Sequence, residues 1–226
     1  MTQDNKVVAL VPMKGHSERV PEKNIREFAG QPLLFYILKA LSNSKYIKDI
    51  YVNTDSDKIS ELINKLFPKV NILLRPEENR GDYISMNKVI AYDISQIENE
   101  YFLQTHSTNP LLKTSTIDTA IEKYFASLDI NDSLMSVTRL QTRLYDHNGK
   151  AINHDPNKLL RTQDLNPVYE ENSNLYIFSK KSFESNNGNR TGKNPLLFEI
   201  DKIESTDIDT PNDFKLAEIL MSENIS

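Results

Sequence analysis

Short apolar runs alternate with longer amphipathic segments through the first two-thirds of the chain. No other feature restricts the fold as much. Lys6 to Val11 reads as a strand, its apolar run Val7 to Val11 closed by Pro12, as expected of a central strand covered on both faces of a parallel sheet. Pro32 is placed to open a helix through Leu33, Leu34, Tyr36, Ile37, Leu38 and Leu41. Ile50 to Asn53 reads as a second strand. From Ser56 to Phe67, residues Ile59, Leu62, Ile63 and Leu66 share one helical face, and Pro68 stops the helix. Val70 to Leu74 is a third strand, Ser85 to Ile97 a helix, and Tyr101 to Thr105 a fourth strand. Thr114 is placed to cap a helix with Ile117, Ala120, Ile121, Tyr124 and Phe125 inward. Leu134 to Val137 is a fifth strand. This spacing builds βαβ units, hence a mostly parallel sheet with helices on both faces. Right-handed crossovers put the strand ends on one edge, where open α/β sheets bind ligands. The loops after Val11, Leu74 and Thr105 are therefore the candidate site.

The alternation breaks from about Thr138 to Asn172, a stretch rich in Asn, Asp, Arg, Pro and His. It reads as an insertion of 138–172, an arm, lid or oligomer contact, in one domain spanning 1–226. Leu175 to Phe178 and Leu196 to Ile200 are further strands, with residues 186–193 as a loop between them. Thr210-Pro211-Asn212-Asp213 is a helix start, with Phe214, Ala217 and Met221 inward. The chain has no cysteine, which excludes disulfides, thiolate metal sites and Cys nucleophiles. Its net charge of −5 argues against a broad nucleic-acid surface. No apolar run approaches the roughly 20 residues of a membrane span. The polar start, followed by so short an apolar run, does not read as a secretory signal. A cytoplasmic enzyme is the expectation.

The loop Pro12-Met13-Lys14-Gly15-His16-Ser17-Glu18-Arg19-Val20-Pro21-Glu22-Lys23-Asn24 leaves the first strand. Gly15 permits close backbone approach, and Ser17 with free N–H groups can wrap an anion. Lys14, Arg19 and Lys23 can neutralise phosphate oxygens. A plain solvated loop remains open on these residues alone. In Ser205-Thr206-Asp207-Ile208-Asp209-Thr210-Pro211, two carboxylates at i and i+2 on extended backbone point the same way. They could hold one Mg²⁺, water and phosphate oxygens completing its shell. The bland alternative is that these acids favour the next helix N-terminus. Arg75-Pro76-Glu77-Glu78-Asn79-Arg80-Gly81-Asp82 and the following Ser85 offer a guanidinium and a hydroxyl for a ribose or base, or a charged surface turn. Leu103-Gln104-Thr105-His106-Ser107-Thr108-Asn109-Pro110 places Gln104 and His106 where a polyhydroxylated substrate could be hydrogen-bonded, or forms a capping turn. The four histidines show no metal-ligand spacing.

The first loop resembles the signature of the acylneuraminate cytidylyltransferase family (CMP-sialic acid synthetases and relatives), roughly Pro-Ala-Arg-Gly-Gly-Ser-Lys-x-x-Pro-x-Lys-Asn. Its continuation, Ile25-Arg26-Glu27-Phe28-Ala29-Gly30-Gln31-Pro32-Leu33, is similar too. Arg75-Pro76 with Gly81-Asp82 and Ser85, Leu103-Gln104, Tyr169-Glu170-Glu171-Asn172, and Asp207-Ile208-Asp209-Thr210 with Asp213-Phe214 resemble later family segments in order. The chain departs from the signature at Lys14 for Arg, His16 for the second Gly, and Glu18 for Lys, where Arg19 is placed to restore positive charge. The resemblance implies a Rossmann-like α/β domain, a homodimer made through the inserted arm, and transfer of CMP from CTP. It implies that Lys14, Ser17, Lys23 and Asn24 hold phosphates and ribose, that Arg75 and Ser85 contact the nucleotide, that Gln104 contacts the acceptor sugar, and that Asp207 and Asp209 hold Mg²⁺.

The resulting expectation is a CTP-dependent cytidylyltransferase for a nonulosonic 2-keto-3-deoxy sugar acid, serving surface-glycan synthesis. Lys14, Lys23 and Asp209 carry catalysis in this reading, Gly15 and Arg19 join the nucleotide site, and Gln104 and His106 the acceptor site. An octulosonate or small phosphate or phosphonate acceptor is the nearest alternative. Glu18 is the feature favouring a silent nucleotide-binding subunit. A glycosyltransferase reading fits less well, because its Asp-x-Asp is expected mid-chain.

Overall fold

The computed structural model describes residues 6–223. Its first strand, β1, is Val7–Leu10, with every residue buried. Two-residue strands β2 (Glu27–Phe28) and β3 (Gln31–Pro32) form a small hairpin. Its turn residues Ala29 and Gly30 have φ of 44° and 84°, the left-handed pair that matches strand twist in a tight hairpin. Pro32 therefore ends a strand rather than opening a helix. Helix α1 starts later, at Leu34–Ser42. Then come β4 (Ile47–Thr54), α2 (Asp57–Leu66), β5 (Asn71–Leu74), α3 (Met86–Ser95), β6 (Tyr101–Gln104) and α4 (Thr114–Ala126). The chain closes with β7 (Ser133–Leu140), β8 (Val168–Ser179), α5 (Lys180–Ser185), β9 (Pro195–Glu199) and α6 (Pro211–Ser222).

Seven strands form one sheet in the order β5-β4-β1-β6-β8-β7-β9. All pairings are parallel except those of β8 with β6 and with β7. Six strands thus point one way and β8 alone runs against them. Period-two alternation divides the core into two layers. Val7, Ala9, Val11, Leu103, Leu175 and Ile177 pack with α1, α2 and α4. Val8, Leu10, Phe102, Tyr176 and Phe178 pack with α3 and α5. Helices therefore cover both faces, and the C-termini of the six parallel strands share an edge. None of the helices among the described residues is long and apolar enough to cross a membrane.

Local signals explain most boundaries. The Ser56 side chain accepts from Ile59 N–H and caps α2, whose Ile59 and Ile63 are buried. At α4 the expected cap is displaced: Lys113 occupies the capping position. The Thr114 hydroxyl instead donates to the Ala40 carbonyl, 2.9 Å away. Buried Glu204 reaches in to accept from Lys113 N–H at 3.1 Å, a carboxylate at a helix N-terminus supplied from distant sequence. Regular pairing also extends into the stretch read as irregular. Thr138 to Leu140 lie in β7 opposite Glu170 to Val168 in β8, leaving 141–167 as the excursion. Between the pairs Met135–Tyr176 and Val137–Glu171 the register shifts. Ser173 turns there with φ of 57°, and Asn172 bridges the gap by accepting from Ser136 and donating to Thr138.

Helix α6 carries the reciprocal cap expected from Thr210 and Asp213. The hydroxyl accepts from Asp213 N–H, and the Asp213 carboxylate accepts from Thr210 N–H at 2.7 Å. Thr210→Ala is expected to cost about 1 kcal/mol. A urea midpoint lowered at constant m-value would report it, and an unchanged midpoint would show that the cap contributes nothing.

Candidate active site

The loop after β1 crosses the C-terminal edge of the sheet. Val20 is buried in a third apolar cluster with Phe28, Leu33, Ile208, Phe214 and Ala217. This pins the middle of the basic loop beside the acidic segment that precedes α6. Ile208 is fully buried; its N–H donates to Thr108 O at 2.9 Å and its carbonyl accepts from Lys23 Nζ at 2.6 Å. Its neighbour Asp209 meets Arg19 at 2.8 Å and Lys23 at 3.8 Å through the same oxygen, Oδ1. Burial lowers the Lys23 ammonium below the usual lysine value, and the charges of Asp209 and Asp207 oppose that shift. Desolvation raises the Asp207 carboxyl, with the Thr108 hydrogen bond opposing and the Asp209 charge adding to the rise.

A cleft of ≈ 470 Å³ opens here, a size suited to a small ligand. Lys14, Ser17, Arg19, Lys23, Asn24, Arg75, His106 and Asp209 all line it. The remaining expected residues stand apart from its wall. The Gly15 N–H donates to Asp55 Oδ1 at 2.7 Å, and a Cβ on Gly15 would stand 2.8 Å from Ser56 Cβ. The close approach that requires glycine is thus to the start of α2. Ser85 is exposed and caps α3 by accepting from Lys88 N–H. Gln104 is fully buried behind the cleft, and Asp207 accepts from Asn109 at its edge. Asn24 lines the cleft with its amide already engaged, donating to Lys14 O at 2.8 Å and accepting from Ser107. It ties the loop after β1 to the loop after β6.

Asn53, Asp93 and Arg190 receive no role in the sequence, and Asp82 stands there only within a segment. Asp82 holds Lys14 at 2.5 Å across the cleft, and this lysine keeps the Asp82 carboxyl below the usual range. Arg75 is buried; its Nε donates to Asn53 Oδ1 at 2.6 Å and its Nη2 to Asn53 O at 3.1 Å. Asn53 in turn donates to Asp93 on α3 at 2.5 Å. Arg190, from the loop before β9, donates to Gln104 Oε1 at 2.7 Å and lies 3.8 Å over the Tyr176 ring. Asn53 and Asp93 sit inside regular elements, and nothing in their spacing marks them; Arg190 lies in a loop with no periodic signal.

The sheet edge and its cation-lined cleft define an α/β protein whose strand ends offer a place suited to an anionic ligand. A cytidylyltransferase family model matches residues 8–224, and the chain belongs to that family. It is 29% identical over 219 residues to the N-acylneuraminate cytidylyltransferase of Streptococcus agalactiae serotype III (strain NEM316), an alignment covering 92% of this chain and 52% of that protein. The chain thus spans about half the length of that relative. It is 28% identical over 232 residues to the CMP-N,N'-diacetyllegionaminic acid synthase of Legionella pneumophila, with 97% of each covered. The solved structure of a CMP:2-keto-3-deoxy-manno-octonic acid synthetase complexed with CTP matches with a TM-score of 0.73, over 97% of this chain and 99% of that one, at 12% identity. A 4-diphosphocytidyl-2C-methyl-D-erythritol synthase from Anaerococcus prevotii matches with a TM-score of 0.68 at 14% identity, over 97% of each chain. At such identities the likeness shows the fold. It is Rossmann-like, as the sequence resemblance implied.

The Arg75–Asn53–Asp93 chain has a pH signature. Burial raises the Asp93 carboxyl from 3.8 to about 7, opposed by the Asn53 hydrogen bond and the Arg75 charge. A carboxyl raised in the folded state is protonated there while the unfolded chain has ionised, so stability falls as pH rises between the two values. Relative to Asp93→Asn, the protein is expected to lose up to about 1.4 kcal/mol per pH unit from roughly pH 4 to 7, and to level off above. Denaturant titrations of both proteins across that range check it; a pH-independent difference would remove the buried-acid assignment.

Proposed function

We propose that this protein transfers CMP from CTP to a nonulosonic, sialic-type 2-keto-3-deoxy sugar acid, releasing pyrophosphate for surface-glycan synthesis. The observation that carries the reading is the convergence of Lys14, Arg19, Lys23 and Arg75 on one cleft that Asp209 also lines. Four cations in a net-acidic chain match a triphosphate and oppose the self-repulsion of two anionic substrates. Relatives of near-equal length, named for legionaminic and pseudaminic acids, support the choice of acceptor class.

In this reading, an acceptor hydroxyl oxygen attacks the α-phosphorus in line. A new phosphorus–oxygen bond forms as the bond to the β-phosphate bridging oxygen breaks; pyrophosphate departs with that electron pair, and the hydroxyl proton is released to solvent. Lys14 and Lys23 offset the charge growing on pyrophosphate, Lys14 exchanging Asp82 for phosphate oxygens. Arg75, oriented by Asn53, holds the nucleotide. Asp207 and Asp209 would hold Mg²⁺. Asp209 fits that role: its Oδ1 takes both cations, while its Oδ2 has no hydrogen-bond partner among the described residues; Asp207 stands beside the cleft, engaged by Asn109. Among the described residues no cluster of three or more His, Cys, Asp or Glu side chains could hold a metal ion, so water and phosphate oxygens would have to complete the shell. When bound, Mg²⁺ would neutralise phosphate charge and acidify the attacking hydroxyl. The reading includes a cytoplasmic homodimer, supported by exposed Tyr145, Ile152, Leu159 and Leu160 on the 141–167 excursion.

Pyrophosphate release is to be measured for each nucleoside triphosphate with Mg²⁺ and a panel of nonulosonic and octulosonic acids. Release with CTP and a nonulosonic acid is expected. CTP binding without release from any acceptor would make the protein a silent nucleotide-binding subunit. Asp209→Ala is expected to lower turnover on the order of 10³-fold with unfolding unchanged, and near-normal turnover would remove its role.

A further inference from the structure

Gln104 was expected to touch the acceptor, yet its amide is fully engaged inside the protein. Arg190 Nη1 lies 2.7 Å from Gln104 Oε1. A guanidinium has only donors, so the atom facing it must be the amide oxygen, and the orientation of the side-chain amide follows from chemistry alone. The amide nitrogen then faces Thr105 O at 3.0 Å and His106 Nε2 at 3.0 Å. Its two hydrogens are matched by these two acceptors. Accepting requires a lone pair on His106 Nε2, so the proton of the neutral ring resides on Nδ1. Free imidazole side chains carry no such instruction.

We propose that Arg190 is a positioning residue that acts through Gln104 to lock His106 in its Nδ1–H tautomer, making this ring a neutral hydrogen-bond donor for an oxygen of the acceptor substrate. The recipient of that donation rests on the cleft being the transfer site proposed above; the tautomer itself does not. His106 lines the cleft, and its Nδ1 has no protein partner among the described residues. Arg190 is itself fixed by stacking on Tyr176, whose ring is buried and whose hydroxyl donates to Glu171 and lies 3.1 Å from Ser173. Burial, with the charges of Arg190 and Lys23, lowers the His106 pKa from 6.5 to about 3, which leaves the ring neutral at ordinary pH. A neutral donor accepts a carboxylate, carbonyl or hydroxyl oxygen without adding to the charge already gathered for phosphates. It refuses a group that can only donate.

Long-range ¹⁵N–¹H correlation spectra of the ¹⁵N-labelled, ligand-free full chain test this directly, with His106 assigned by its absence in His106→Asn. The expected spectrum shows a protonated Nδ1 and a bare Nε2 for His106 at neutral pH. Arg190→Met is expected to release Gln104 and shift His106 toward Nε2–H; Arg190→Lys, which keeps a donor, is expected to preserve Nδ1–H. Gln104→Glu supplies a second route, because its carboxylate accepts and must draw the proton onto Nε2. An Nε2–H ring in the unaltered protein would overturn the proposal, as would an Nδ1–H ring unmoved by both Arg190→Met and Gln104→Glu. These spectra need no turnover, so a silent protein with the expected tautomer would sink the transfer reading and leave this one standing. In an active protein, Arg190→Met is expected to raise KM for the sugar acid about 10-fold or more while KM for CTP stays within about 2-fold, the effect of one lost hydrogen bond to a charged group.

Discussion

The burial of Ile208 beside Val20 is the contact on which the site depends. These two residues come from segments nearly the whole chain apart, and each is flanked by charge. Removing both apolar side chains from water contributes about 1.5–3 kcal/mol each. That gain sets acids against bases: a partly exposed ion pair alone would hold Asp209 near Lys23 only weakly, but Asp209 must follow Ile208 inward. Backbone polarity then completes the junction. The Ile208 carbonyl satisfies the Lys23 ammonium, and its N–H secures the loop after β6. Three loops of different origin meet because one hydrophobic residue cannot remain outside.

The same logic explains why a net-acidic protein can concentrate cations. Each lysine or arginine at the cleft has a carboxylate or amide holding it in place: Asp82 for Lys14, Asp209 for Arg19 and Lys23, Asn53 for Arg75. Exposed pairs of this kind contribute little to stability. Their value lies in keeping long side chains aimed at a common volume, so that less freedom is lost when an anion arrives. The Arg75 arrangement differs, being buried and neutral on the far side: a raised carboxyl at Asp93 orients Asn53 without competing for the guanidinium.

Much of the architecture was legible because parallel strands covered on both faces announce themselves as apolar runs. Val7 to Val11 and Leu175 to Phe178 are examples. What escaped was structure specified by pairing rather than pattern. The hairpin of β2 and β3 is too short to show a period, and α5 is barely more than one turn. The direction of β8 is settled by its partners β6 and β7, and no local residue encodes it. In the site, loop cations and the Asp-x-Asp pair stood out by charge. Ser85 and Gly15 were the right residues for an anion but were drawn into helix capping and close packing. The roles of Gln104, Asn53 and Arg190 are fixed by which donor meets which acceptor, and a linear reading contains no such adjacency.

The lone reversed strand has an evolutionary corollary. Because β7 ends and β8 begins at the sheet edge that bears the cleft, the 141–167 excursion departs and re-enters there, and the β7–β8 pairing stands between it and the interior. Lengthening, trimming or rewriting that excursion would change what stands along that edge while the hydrophobic layers keep their arrangement. Diversification of recognition and preservation of the scaffold are thereby assigned to different stretches of one polypeptide.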